Sequence, residues 1–163
     1  MKLSDKLYKA LNDQVNAEMY SAYLYQSMAS WLTAQELPGM AGWMAHQAKE
    51  EMEHAFKIYH YIESRGEQPK LTAIEGPKTS WESALAVFEQ ALGHERHVSD
   101  LIASIIKLAR EEEDFATETL MSWYINEQVE EEANATRNVH VVSLGKGDAG
   151  KLHLLDAGFV RHE

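Results

Sequence analysis

A chain of 163 residues is long enough for one domain with a substantial core and too short for two comfortable ones, so residues 1–163 are read as a single unit. Its 26 acidic against 15 basic residues give a formal charge of −11, which argues against a nucleic-acid partner because phosphate backbones are held by a surplus of Lys and Arg; metal cations are better matched. Cysteine is absent, which removes disulfides, zinc–thiolate sites, iron–sulfur clusters and thiol nucleophiles and leaves oxygen and imidazole as the metal ligands on offer. Met1 to Ala10 lacks the apolar run of a signal peptide, and no stretch approaches membrane-spanning length. The expectation is a cytoplasmic protein with no membrane partner.

Apolar residues recur at three- and four-residue intervals over long runs, so the chain reads as all-α. A first helix is expected from about Ser4 to about Gln35, interrupted by Leu37, Pro38 and Gly39. Pro38 suits the first turn of a second helix, which continues to Arg65 with Gly66 as a left-handed terminal residue. Glu67 to Ser80 holds Pro69, Gly76 and Pro77 and reads as a connection. Thr79-Ser80-Trp81-Glu82 fits a capping box opening the third helix, and Asp114 can cap a fourth that runs to about Ser143. Gly145, Gly147 and Gly150 then break the chain before a short fifth helix from about Lys151 to His162, weakened by Gly158.

Loop lengths decide the topology. The first and second helices have a tight connection, as do the third and fourth, and each pair should be antiparallel. The middle connection is about fourteen residues, roughly 46 Å when extended, against roughly 42 Å for a helix of about 28 residues. The chain can therefore return along the whole bundle, making the second and third helices parallel. A long crossover of this kind belongs to ferritin-like four-helix bundles.

The inward stripe of each helix is interrupted near its middle. Leu7, Leu11, Gln14, Glu18, Ala22 and Tyr25 share a face on the first, and Met44, Gln47, Glu51, His54, Ile58 and Tyr61 on the second. Phe88, Leu92, Glu95, Ser99 and Ile102 do so on the third, and Met121, Tyr124, Gln128, Glu131 and Ala135 on the fourth. The spacing repeats: 51 − 18 = 33 and 128 − 95 = 33, with His54 and Glu131 each three residues later. The midpoint of Glu18 and His54 is residue 36 and that of Glu95 and Glu131 is residue 113, both inside the expected hairpin turns, so all six side chains should lie at one level. Burying four carboxylates without partners is prohibitively costly, and the stripes carry no matching Lys or Arg. Two divalent cations would balance them, and oxygen-rich ligation with one imidazole suits iron or manganese better than copper. Rotated helices with every glutamate in solvent would require all four stripes to be misread.

The segments Gln14-Val15-Asn16-Ala17-Glu18, Glu50-Glu51-Met52-Glu53-His54 and Trp123 to Glu132 closely resemble those of the non-haem ferritins of bacteria and archaea, over about residues 3 to 142. The resemblance implies two iron ions per subunit: Glu18, Glu51 and His54 at the first position, with Glu51 bridging, and Glu95 and Glu131 at the second, assisted by Gln128. Glu50, Glu127 and Glu130 match a third, weaker iron position, and Tyr25 matches a tyrosine beside the site, although a core aromatic would occupy the same place. It further implies a ferroxidase that oxidises Fe(II) with O2 or H2O2 and passes Fe(III) to a mineral, in a homo-oligomeric shell of twenty-four subunits. The acidic run Glu111 to Asp114 is a candidate pore lining, with a solvated turn as the plainer reading.

Met52 stands beside Glu51, where a haem-binding relative would place its axial sulfur, but those relatives carry a doubled Glu-x-x-His pattern and the second half here reads Gln128-x-x-Glu131, so no haem is expected. A rubrerythrin-like peroxidase would use the same bundle but needs cysteines for its appended iron site. A miniferritin would not need the second ligand half, and a metal-free interaction bundle would take up no metal. His46, His60, His94, His97, His140, His153 and His162 read as ordinary surface or packing residues. The glycine-rich segment 144–163 is the main departure from the family pattern.

Overall fold

The computed structural model describes residues 2–159, and among them five helices and no strand: α1 Asp5–Ala34, α2 Pro38–Ser64, α3 Ala84–Glu111, α4 Phe115–Ser143 and α5 Ala149–Asp156. Val160 to Glu163, including the expected helical end at His162, lie outside the described residues. None of the described helices is long and apolar enough to cross a membrane.

Side-chain pairs establish the helix directions. Tyr25 meets Glu95 and Ser4 meets Glu112, so α1 and α3 run antiparallel. Gln47 meets Glu131, Tyr61 meets Thr117 and Arg65 meets Asp114, so α2 and α4 do too. With α1 and α2 joined as a hairpin, α2 and α3 are parallel and the crossover must run the length of the bundle. It does so along α1, held by a ladder of polar side chains. Tyr8 donates to the Gln68 carbonyl (2.6 Å), Asn12 accepts from the Lys70 amide (2.6 Å), Asn16 donates to the Ala73 carbonyl (3.0 Å) and Ser27 to the Lys78 carbonyl (2.7 Å). The register is that of an extended strand beside a helix: ten residues at 3.3 Å span about 33 Å, and nineteen at 1.5 Å about 29 Å.

Both hairpin turns are built alike. After α1, Glu36 takes φ 59°, its amide reaches the Thr33 carbonyl (3.0 Å) and the Leu37 amide the Leu32 carbonyl (3.1 Å). After α3, Glu113 takes φ 55°, with Glu113 to Arg110 (3.2 Å) and Asp114 to Ala109 (2.8 Å). These are left-handed helix ends of the Schellman kind, with glutamate where glycine is usual. Asp114 then caps α4, accepting from the Thr117 amide (3.0 Å), and pairs with Arg65 (2.7 Å), so this member of the acidic run is a structural cap whose carboxyl the Arg65 hydrogen bonds hold below its ordinary pKa.

The third helix opens later than its sequence indicates. Trp81 is buried against Trp31, and its indole N–H donates to Gln90 (2.6 Å), holding residues 79–82 out of the helix; Ser83 is the cap, accepting from the Ala86 amide (3.1 Å). The fifth helix begins and ends sooner than expected, because Asp148 caps it through the Lys151 amide (2.9 Å). Its last residue, Asp156, is 5% exposed and accepts from the Gly39 (3.0 Å) and Met40 (2.8 Å) amides. Leu37 at the start of α2 supplies no side-chain cap, so α5 satisfies that helix end from across the fold. A Cβ on Gly39 would overlap the Asp156 backbone carbonyl, which is why glycine follows Pro38.

The apolar interior falls into two clusters. Leu24, Met28, Leu32, Met40, Met44 and Phe88 fill one end, and Leu7, Leu11, Ile58, Ile62, Ile102 and Met121 the other. On each of the four long helices the polar interruption lies between them.

Asp156→Ala is expected to cost about 1–2 kcal/mol, in line with loss of a good N-cap, and to expose α5 to proteolysis. Thermal melting with limited digestion checks both; an unchanged melting temperature and digestion pattern would count against the cap. At Glu36 the left-handed backbone costs a side chain about 1–2 kcal/mol, so Glu36→Val should destabilise while Glu36→Gly should be neutral or slightly stabilising, read from the same melts.

Candidate metal centre

The six side chains expected to converge are all buried, in the polar layer between the two apolar clusters. Glu18 of α1 and Glu51 and His54 of α2 form the tightest group, each offering a ligand atom within 4.8 Å of the others. The α-helical period puts Glu51 and His54 on one face, one turn apart, with His54 Nδ1 3.3 Å from Glu51 Oε2. Gln14, one turn before Glu18, donates to Glu18 Oε1 (2.8 Å), while Glu18 Oε2 is buried with no hydrogen-bond partner. A sealed carboxylate oxygen with no partner, on a residue grouped with two other ligand side chains, is an unsatisfied acceptor of the kind a cation relieves.

The other half is pinned by hydrogen bonds. Tyr25 donates its phenolic proton to Glu95 Oε1, and Gln128 Nε2 donates to Glu95 Oε2 (3.0 Å) and to the Glu95 carbonyl (3.1 Å). Gln47 Nε2 donates to Glu131 Oε2 (2.8 Å). Tyr124 donates to the His54 carbonyl (2.7 Å) and packs edge-on to the His54 ring, as does Trp123. Glu95, Gln128 and Glu131 therefore sit at the expected level but are oriented by neighbouring donors rather than gathered with the first three.

Electrostatics follow from this crowding. Burial, then the charge of Glu51, raises the Glu18 carboxyl well above its ordinary pKa; burial, then Glu95, does the same to Glu51. Glu131 is pushed up to about 7 by burial and then Glu95. Burial also raises Glu95, against the hydrogen bonds from Tyr25 and Gln128. The favourable charge acting on Glu18, Glu95 and Glu131 comes from His54 and not from a Lys or Arg. Burial and mutual repulsion thus favour the neutral, protonated form of these carboxyls. Tyr25 is raised by burial and by Glu95, so its phenol stays protonated and donating.

Glu50, Glu127 and Glu130 lie together on the wall of an adjacent recess of about 330 Å³ between α2 and α4, which also reaches Gln47 and Glu131. His46 lies on its rim, 3.4 Å from Glu50, a placement the sequence reading passed over. Gln14 and Gln47 stand on the inward stripes but were given no role there, although their spacing of 33 matches that of Glu18 and Glu51. His94 had no such signal: its ring packs edge-on to Tyr25 and bonds Ser21 (2.7 Å), and burial, then His97, lowers its pKa to about 4. Met52 is exposed on α2.

A long-crossover bundle with a carboxylate-rich buried layer is the architecture of ferritin-like proteins. Residues 8–143 match the ferritin-like domain family, and the chain belongs to it. It is 41% identical over 148 residues to a bacterial non-heme ferritin of Bacteroides fragilis, covering 91% of this chain and 92% of that one, and 35% identical over 154 residues to one from Staphylococcus aureus, covering 94% and 93%. Among solved structures it superposes on an open pore ferritin from the hyperthermophilic archaeon Archaeoglobus fulgidus with a TM-score of 0.96 and 42% identity, over 99% of this chain and 100% of that one. A form of that ferritin engineered to be closed matches with the same TM-score and identity.

A carboxyl whose folded pKa is raised contributes stability through its proton, fully present below its ordinary value near 4.5 and lost as pH rises through about 7 for Glu131. Glu131→Gln keeps a neutral side chain at every pH. In cation-free protein, the variant's stability relative to the parent should therefore climb between about pH 4.5 and 8, by a few kcal/mol at most. Paired melts across that range test this, and a difference independent of pH would refute it.

Proposed function

We propose that this chain stores iron as a ferritin subunit, oxidising Fe(II) at a two-iron site in each subunit and delivering Fe(III) to a mineral inside a hollow homo-oligomeric shell of twenty-four. The observation that supports this reading is the buried layer itself, which holds Glu18, Glu51, His54, Glu95, Gln128 and Glu131 and no buried Lys or Arg among the described residues. Iron is the substrate here. Glu18 and His54 hold one ion, Glu95 and Glu131 the other, and Glu51 reaches both; four carboxylates balance two divalent charges. Gln128 and Tyr25 orient Glu95, and Gln14 and Gln47 orient Glu18 and Glu131. Fixed ligands of this kind keep the pair together at little reorganisation cost.

The electron balance is simple. Two Fe(II) ions surrender one electron each to O2, which takes up two protons and leaves as H2O2; with H2O2 as acceptor, two electrons and two protons yield two waters. Cations entering the layer compete with the protons that burial favours on its carboxyls, so uptake is accompanied by proton release. Glu50, Glu127 and Glu130 provide a third, weaker position on the recess that opens toward Glu131. No haem is required by this chemistry.

Glu51→Ala and His54→Ala should each slow the initial aerobic oxidation of Fe(II) by about tenfold or more, as for loss of a metal ligand, while the shell assembles normally. Stopped-flow absorbance with light scattering on metal-free protein reads both, and unchanged initial rates would overturn the assignment. Glu130→Gln should leave the first fast turnover intact and alter only subsequent iron uptake.

A further inference from the structure

Glu18 and Glu95 hold equivalent places in the two halves of the bundle, 95 − 18 = 77 residues apart, yet their surroundings differ. Glu18 accepts from Gln14, one turn away on its own helix, whereas Glu95 is held by Tyr25 of α1 and Gln128 of α4. Behind Tyr25 stands a further polar pair. Ser21, one turn before Tyr25 and 0% exposed, donates its hydroxyl proton to the Ala17 carbonyl (3.0 Å). With that proton spent, its 2.7 Å contact with His94 Nε2 has one polarity: the imidazole N–H donates and the Ser21 oxygen accepts. The tethered His94 ring meets Tyr25 edge-on, 5.9 Å between centroids at 87°, and Tyr20 also packs against it at 5.8 Å and 57°.

Four residues thereby close a loop across two helices. On α1, Ser21 and Tyr25 are four residues apart and share a face; on α3, His94 and Glu95 are consecutive. Ser21 holds His94, His94 abuts the Tyr25 ring, Tyr25 donates to Glu95, and the α3 backbone joins Glu95 back to His94. A hydrogen bond from the tip of a phenol fixes a carboxylate only when the ring itself is locked by its neighbours. The first half of the bundle has no such loop: the same offset relates Ser21 to Val98 (21 + 77 = 98), Tyr25 to Ile102 (25 + 77 = 102) and His94 to Ala17 (94 − 77 = 17). We infer that His94, tethered by Ser21, is a positioning residue for the second iron position, fixing the Tyr25 ring and through it the direction of the Glu95 carboxylate. The inference rests on the two-iron reading above and assigns to it a pair of residues, His94 and Ser21, that hold no cation themselves.

The test uses the full-length assembled protein freed of metal, with Zn(II) as a redox-inert probe that accepts the same carboxylate and imidazole ligands. Stepwise affinities are read by competition with a chromophoric chelator, and Glu95→Ala marks the step that belongs to the second position. His94→Ala should weaken that step about tenfold, as for loss of a partner behind a metal ligand, and leave the step at Glu18, Glu51 and His54 unchanged. Ser21→Ala, which removes only a hydroxyl, should act in the same direction. The deciding measurement is a double-mutant cycle: once Tyr25→Phe has removed the phenolic hydroxyl, His94→Ala should weaken the second step no further, because its effect passes through that group. Losses that instead multiply to about a hundredfold, equal weakening of both steps, or variants of His94 and Ser21 that bind as the parent does would overturn the inference. A parent with no Zn(II) step sensitive to Glu95→Ala would remove the second position altogether, and with it both the two-iron reading and the inference.

Discussion

Four carboxylates in the middle of an apolar bundle are the constraint to which the rest of the fold answers. The core cannot be continuous: Leu7, Leu11, Ile58 and Ile102 pack on one side of the polar layer, and Met28, Met40, Met44 and Phe88 on the other. Each half supplies ordinary apolar burial, and the two together seal the layer from water. That sealing is what raises the carboxyls, since desolvation is the first cause at Glu18, Glu51, Glu95 and Glu131 alike. Stability and cation affinity are therefore opposed ends of one balance. The layer is tolerable with protons, better with cations, and poor with neither.

Keeping four helices level to within one turn requires rigid spacers, and the bundle has three. Two are the hairpin turns, where Glu36 and Glu113 hold the same left-handed backbone 113 − 36 = 77 residues apart. The third is the crossover, tied to α1 at Tyr8, Asn12, Asn16 and Ser27. A slip of one residue in the crossover would not move the helix faces, but a slip in either hairpin would carry a glutamate out of the layer. The steeper constraint thus falls on the tight turns, and they are the places where the backbone accepts strain.

The C-terminal element has a role its composition hides. With eight residues, α5 is too short to be stable alone. Asp156 gives it a reason to dock, because α2 begins with Leu37 and Pro38 and lacks a local acceptor for its first amides.

Much of this was legible from spacing. The repeated interval of 33 and the hairpin midpoints at residues 36 and 113 assigned Glu18, Glu51, His54, Glu95, Gln128 and Glu131 to one level, because helical period and hairpin symmetry are local and additive along the chain. Asp114 as a cap was legible for the same reason. The opening of α3 was not, because Trp81 is claimed by Trp31 and Gln90, partners remote from the capping box that residues 79–82 spell out. Nor could periodicity assign which donor meets which carboxylate. Gln47 stands one turn before Glu51 yet donates to Glu131, since the choice depends on the helix across the bundle. The sequence by itself determined the helices, their order and the level of the polar layer, all consequences of short-range periodicity and loop length. Only tertiary packing decided the long-range pairings, from Tyr25 on Glu95 to Asp156 on the start of α2, because hydrogen bonds between helices depend on the three-dimensional approach of residues that no local pattern relates.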